Sequence, residues 1–163
     1  MPELAGVDHV GLSVTDLDRS ERFYTEVLGL VRLVDFGHAR ILCHTPTSLV
    51  VGLVRHDAAV VAPFTELNTG LDHLGFGVSS REDLVRWEHR LQEHGVAYTP
   101  IRDMELGHHL NFRDPDNIAL ELSTSNEVAA EWFAELRERE IPREEIDARV
   151  HAYLSSLGRP QTV

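Results

Sequence analysis

The stretch Gly6-Val7-Asp8-His9-Val10-Gly11-Leu12-Ser13-Val14-Thr15 returns as Gly70-Leu71-Asp72-His73-Leu74-Gly75-Phe76-Gly77-Val78-Ser79, and this repetition decides the fold. The two histidines stand 64 positions apart (73 minus 9). In each copy large apolar side chains alternate with small or polar ones, the period of a strand with one face on a core. Val10, Leu12 and Val14 share one face, and His9, Gly11 and Ser13 the other. In the second copy Leu74, Phe76 and Val78 oppose His73, Gly75 and Gly77. Both histidines therefore fall on the face that is not core.

Working outward from the first copy, Thr15 predicts a helix N-cap, with Asp18 three positions on. Phe23, Tyr24, Val27 and Leu28 form the apolar stripe of that helix, and Gly29 sits where a left-handed C-terminal residue is wanted. Three strands are expected over 30–36, 39–44 and 48–54, and 57–68, which contains Pro63, reads as a linker. The second copy repeats the plan. A strand over 71–78 leads to a helix opened by Ser80 and Asp83, striped by Leu84, Trp87 and Leu91 and closed by Gly95. Strands over 96–101, 107–113 and 118–123 follow, the last two joined by the turn Asp114-Pro115-Asp116-Asn117.

The chain is thus read as α+β: paired βαβββ modules at about 5–56 and 69–123, forming one domain over 1–123. Residues 124–157 change to helical spacing. Val128, Trp132, Phe133 and Leu136 make one stripe, Pro142 interrupts, and Ile146, Val150, Tyr153, Leu154 and Leu157 make another. These helices either cover sheet edges or an apolar face of the domain, or form a dimer contact. Residues 158–163 read as a frayed tail.

Composition excludes several classes. The net charge of −12, with all 15 basic residues arginine, repels phosphate backbones and anionic headgroups, so neither nucleic acid nor a membrane is an expected partner. Cys43 is alone, which rules out an intrachain disulfide or a thiolate metal cage. No run approaches the roughly 20 apolar residues that span a bilayer, and no basic segment leads into an apolar run at the N-terminus. A cytoplasmic location is the expectation.

The chemistry rests on three strands. In the last of them Ile118, Leu120 and Leu122 oppose Ala119, Glu121 and Ser123. One face is core, and the other carries His, Glu and space. A carboxylate inside an apolar run is costly unless a cation or donors stand beside it, and two imidazoles with one carboxylate suffice to hold a divalent metal.

The duplicated βαβββ plan, the paired histidines, the helix Asp16 to Leu30 and Phe112-Arg113-Asp114-Pro115-Asp116 leading to Glu121 together resemble the vicinal oxygen chelate superfamily. That family includes glyoxalases, extradiol dioxygenases, methylmalonyl-CoA epimerases and the fosfomycin and bleomycin resistance proteins. The resemblance covers about residues 5–123 and implies a cup-shaped mixed sheet, with His9, His73 and Glu121 as metal ligands and a substrate chelating through two neighbouring oxygens. It also implies a departure. Aligning the fourth strands puts Gly52 opposite Glu121, where glyoxalases and epimerases place Glu or Gln, so the proton-shuttling base of glyoxalases is missing.

The open three-ligand site favours Fe2+, with Mn2+, Zn2+ or Ni2+ also compatible, and an Fe(II) extradiol-type dioxygenase acting on a small substrate with vicinal oxygens. Fosfomycin-modifying relatives use three such ligands too, but anionic phosphonate usually recruits lysine, and here only arginine is available. The alternatives are a glyoxalase- or epimerase-like lyase or isomerase with water at the position vacated by Gly52, and a metal-free, antibiotic-sequestering protein of the bleomycin-resistance type. A homodimer is expected. His108 and His109 alternate, so one looks into the cup as an acid, base or substrate partner, and register decides which. Tyr98 is a further catalytic candidate through its hydroxyl, and Arg40, Arg102 and Arg113 are candidate anion anchors; the other histidines read as surface or loop residues.

Overall fold

The computed structural model describes residues 6–59 and 61–157, so the expected tail at 158–163 lies outside the described residues. The first module runs β1 (His9–Ser13), α1 (Leu17–Arg22) continued by a π-helical turn Phe23–Val27, β2 (Val31–Asp35), β3 (Ala39–His44) and β4 (Leu49–Val54). The second runs β5 (Leu74–Gly77), α2 (Arg81–Glu93), β6 (Arg102–Met104), β7 (Gly107–Arg113) and β8 (Ala119–Ser125), followed by α3 (Glu127–Glu138) and α4 (Arg143–Ser156).

Each module makes a four-stranded mixed sheet, in the orders β1-β4-β3-β2 and β5-β8-β7-β6. The first strand pairs parallel with the last in both, and the registers coincide: Gly11 stands opposite Gly52 where Gly75 stands opposite Glu121. One face of the central strands packs against the helices, where Leu42, Val51, Leu53 and Leu110 of the strands and Leu84 and Leu91 of α2 are fully buried. Burying such a side chain contributes about 1.5–3 kcal/mol. The other face of β1, with His9, Gly11 and Ser13, stays exposed.

The modules meet on the helical side. The Tyr24 hydroxyl donates to Asp114 Oδ2 at 3.1 Å, Arg19 pairs with Asp116 at 2.7 Å, and the rings of Phe23 and Phe112 lie 6.4 Å apart. Arg90 caps the end of the first helix by donating to the carbonyls of Val27 at 2.6 Å and Glu26 at 2.5 Å. Asp114, buried in the turn between β7 and β8, also accepts from the backbone N–H groups of Asp116 and Ile118. Desolvation pushes its carboxyl above the usual carboxylate range.

Two local expectations are corrected. The N-cap of α1 is Asp16, whose carboxylate accepts from Arg19 N at 3.0 Å. Thr15 instead gives its backbone N–H and hydroxyl to the buried carboxylate of Asp116, which needs donors more than the helix end does. The strand expected over 96–101 is displaced to β6, at 102–104. Around Pro100, which has no N–H to donate, the chain keeps only an isolated bridge of Tyr98 to Phe112 and the flanking bonds Thr99 N to Asn111 O and Arg113 N to Ala97 O. The other expected caps hold: Ser80 accepts from Asp83 N, and Gly29 and Gly95 take positive φ.

Helices α3 and α4 pack on each other through Trp132 and Tyr153, edge to face at 5.6 Å. Tyr153 and Asn126 both donate to the Glu105 carbonyl, so the pair covers the turn between β6 and β7. No described helix is long and apolar enough to cross a membrane.

Candidate functional site

Glu121 sits between Leu120 and Leu122 in β8, and strand alternation turns its carboxylate to the open face, where it is 8% exposed. Gly75 lies opposite it, close enough that a Cβ there would stand in ordinary contact, 3.7 Å from Glu121 Oε1. His73 Nε2 faces Oε1 at 4.0 Å, and His109 Nδ1 shares a hydrogen bond with Oε2 at 2.9 Å. These three side chains, with Arg102, Asn111 and Arg113, line an open cleft of about 350 Å³.

The register resolves the two adjacent histidines. His109 pairs with Ser123 and Asn111 with Glu121, so both share the face of Glu121. His108 points the other way and meets Asp103 at 2.7 Å. That bond holds the Asp103 carboxyl below its usual range. Tyr98 bridges Phe112 and packs against the core, outside the cleft. Arg40 is committed to Asp18, Glu21 and Asp35 at 2.6, 2.6 and 3.1 Å on the helical side. Arg113 reaches the cleft but is held by Glu66 at 2.7 and 3.1 Å, and its guanidinium pulls the Glu66 carboxyl down to about 2. Arg102, opposite His109 across β6 and β7, is exposed at the rim.

His9 is not in this cleft. It stands on the open face of the first module, with Nδ1 bonded to Asp8 at 2.8 Å. Among the described residues no three His, Cys, Asp or Glu side chains converge as a ready cation cage within the chain. The structure therefore brings together two of the three expected ligands. Their chemistry fits a divalent cation: an imidazole nitrogen and a buried carboxylate oxygen face each other at 4.0 Å.

The equivalent place in the first module holds hydrocarbon. A Cβ added at Gly52 would lie 3.7 Å from Ile41 Cδ1. Ile41 pairs with Gly52 as Asn111 pairs with Glu121. Besides Asn111, the sequence reading passed over Asp8 and Asp72, although the repeat displayed both. Asp72 binds His73 Nδ1 at 2.6 Å as Asp8 binds His9.

The sequence profile of the Glyoxalase/Bleomycin resistance protein/Dioxygenase superfamily matches residues 6–122. A glyoxylase/bleomycin resistance protein/dioxygenase domain from Frankia sp. EAN1pec is 42% identical with a TM-score of 0.71, over 77% of this chain and 95% of its own. The metallothiol transferase FosB of Staphylococcus epidermidis is 27% identical over 126 residues, 75% of this chain and 83% of that protein. A variant of the fosfomycin resistance protein FosX from Listeria monocytogenes, crystallised with Mn(II) and 1S,2S-dihydroxypropylphosphonic acid, is 20% identical with a TM-score of 0.61. It covers 78% of this chain and 95% of its own, and the likeness there is one of fold.

Proposed function

The chain belongs to the Glyoxalase/Bleomycin resistance protein/Dioxygenase superfamily, and on that premise we propose that it is a divalent-metal enzyme acting on a small anionic substrate with neighbouring oxygens. The observation that carries the reading is the facing pair His73 and Glu121, with His109 and Arg102 in the same cleft. A bound cation would supply Lewis-acid polarisation of the substrate oxygens.

The residues of the chain do the rest. Glu121 and His73 offer one oxygen and one nitrogen to the cation. His109 fixes the second carboxylate oxygen and is the group placed to hand over or take up a proton. Arg102 presents a guanidinium fork that matches a carboxylate or phosphonate in two-pronged fashion, the role lysine plays elsewhere. The third ligand is His9 of a second copy. Among the described residues the site is incomplete within one chain, and the matching open face of the first module carries that imidazole exposed. Such a site reads as a homodimer with shared centres.

Within this class, addition or group transfer to a phosphonate is favoured over dioxygenation, because the named relatives are a metallothiol transferase and a protein crystallised with Mn(II) and a dihydroxy phosphonate. A second reading, the Fe(II) extradiol-type dioxygenase, is supported by the ligand set itself, two histidines and one carboxylate with open positions. A glyoxalase- or epimerase-like reaction has less to stand on, since Gly52 and Ile41 offer no base.

Titration of metal-free protein with Mn(II), followed by fosfomycin consumption with a thiol or with water and by oxygen uptake on catechols with Fe(II), separates these readings. Stoichiometric binding lost in His73→Ala and Glu121→Ala is expected. Mixing His9→Ala with Glu121→Ala protein should restore part of the binding, because one of the two shared centres is then intact. A wild-type protein that binds no divalent metal overturns the enzyme reading and leaves the sequestering protein.

A further inference from the structure

Two histidines 64 positions apart, His9 at the start of β1 and His73 just before β5, share more than their place in the repeat. In each copy the imidazole Nδ1 is bonded to the carboxylate of the residue just before it, at 2.8 Å for Asp8 and His9 and 2.6 Å for Asp72 and His73. Adjacent residues of a regular strand point to opposite faces and cannot meet. Here they meet because Asp8 lies just ahead of β1, and Asp72 and His73 both lie just ahead of β5, outside the regular ladder. The approach is built the same way twice: a glycine two positions before each aspartate takes a positive φ, 108° at Gly6 and 153° at Gly70. A Cβ at either glycine would meet nothing within 4 Å, so backbone conformation rather than space calls for glycine there.

The second ring nitrogen completes the picture. His73 turns Nε2, the atom not engaged by Asp72, toward Glu121 Oε1. A carboxylate on Nδ1 fixes the proton there and leaves the Nε2 lone pair for a metal, whereas a free imidazole in water favours the proton on Nε2. We propose that Asp8 and Asp72 are positioning residues of a duplicated Asp-His ligand unit, each setting the tautomer and ring orientation of the following histidine so that Nε2 meets the cation. This rests on the metal reading above. Asp103 provides an internal control, since it makes the same bond to His108, which faces away from Glu121.

The test uses full-length protein and two readouts. Nitrogen-15 NMR of the metal-free protein, about two pH units above the usual imidazole pKa, reports the tautomer of each histidine. Titration with Mn(II) alone reports affinity. Wild type should show the Nδ1–H tautomer at His9 and His73. Asp72→Ala should shift His73 toward Nε2–H and weaken Mn(II) about 10- to 100-fold. Asp72→Asn, which still offers an oxygen acceptor, should recover most of both, and Asp103→Ala should move neither His73 nor the affinity. If Asp72→Ala keeps the tautomer and the affinity while Glu121→Ala loses Mn(II), the proposal is wrong and the metal reading stands. If wild type binds no Mn(II), the metal reading fails and the ligand role of the unit fails with it.

Discussion

The two modules agree in register and disagree in chemistry. On the open face of the first stand Gly52, Ile41, Cys43, Ala39 and Val54; at the matching places of the second stand Glu121, Asn111, Arg113, His109 and Ser123. The sides turned to the helices keep an apolar centre in both, with Leu12, Leu42, Val51 and Leu53 answered by Leu110, Phe112, Leu120 and Leu122. Burial constrains the inner face of each copy in the same way, while the outer face is free to diverge. A centre shared by two copies would then have one hydrocarbon wall and one ionic wall.

The sharpest way to break this comparison is to remove the carboxylate from one module and add a methyl at the equivalent place in the other. Glu121→Ala should cost about 100-fold or more in Mn(II) affinity, about 2.7 kcal/mol, by calorimetric titration. Gly52→Ala should leave affinity unchanged, because the new Cβ makes an ordinary contact with Ile41. The next contrast concerns two glycines that precede β3 and open β7. A Cβ at Gly107 would meet Thr124 O at 2.1 Å, so Gly107→Ala should cost about 3 kcal/mol or more in denaturant unfolding. Gly37 is open in space but has φ 79°, and Gly37→Ala should cost about 1 kcal/mol through backbone strain.

Smaller effects probe what joins the modules. Tyr24→Phe removes the hydroxyl that Asp114 accepts from, while the two backbone donors to that carboxylate remain. A loss of about 1 kcal/mol in thermal or denaturant unfolding is expected. The smallest concerns the strap from the linker to the second module. With the Glu66 carboxyl held at about 2 against an ordinary 4.5, its contribution is present above pH 4.5 and is lost as pH falls toward 2. Because Glu66 is exposed the effect should be slight, and Glu66→Gln should flatten that part of the acid-unfolding curve relative to wild type.

The duplication, the element types and the inner faces were legible in the sequence because periodicity and turn chemistry are local. Gly107–Arg113 and Ala39–His44 coincide with the strands expected there. Capping at Thr15 was not legible, since the competitor for its hydroxyl is Asp116, 101 residues away. The strand expected over 96–101 failed for a local reason that Pro100 within it announced. At the site, the facing of His109 rather than His108 depended on the β7–β8 register, and the separation of His9 from Glu121 depended on how modules sit in three dimensions. Neither is written in any one stretch of chain.

Arg90 gives the chain an order of events. Its guanidinium ends the first helix from 63 and 64 residues downstream. During synthesis the first module therefore emerges with those two carbonyls left to water until α2 has left the ribosome. Until then Tyr24 also lacks Asp114, 90 positions further on. Such long-range closures slow folding, because the loop entropy is spent before the contact returns anything. The nascent first half should stay protease-sensitive through most of translation and become resistant only once both halves are out.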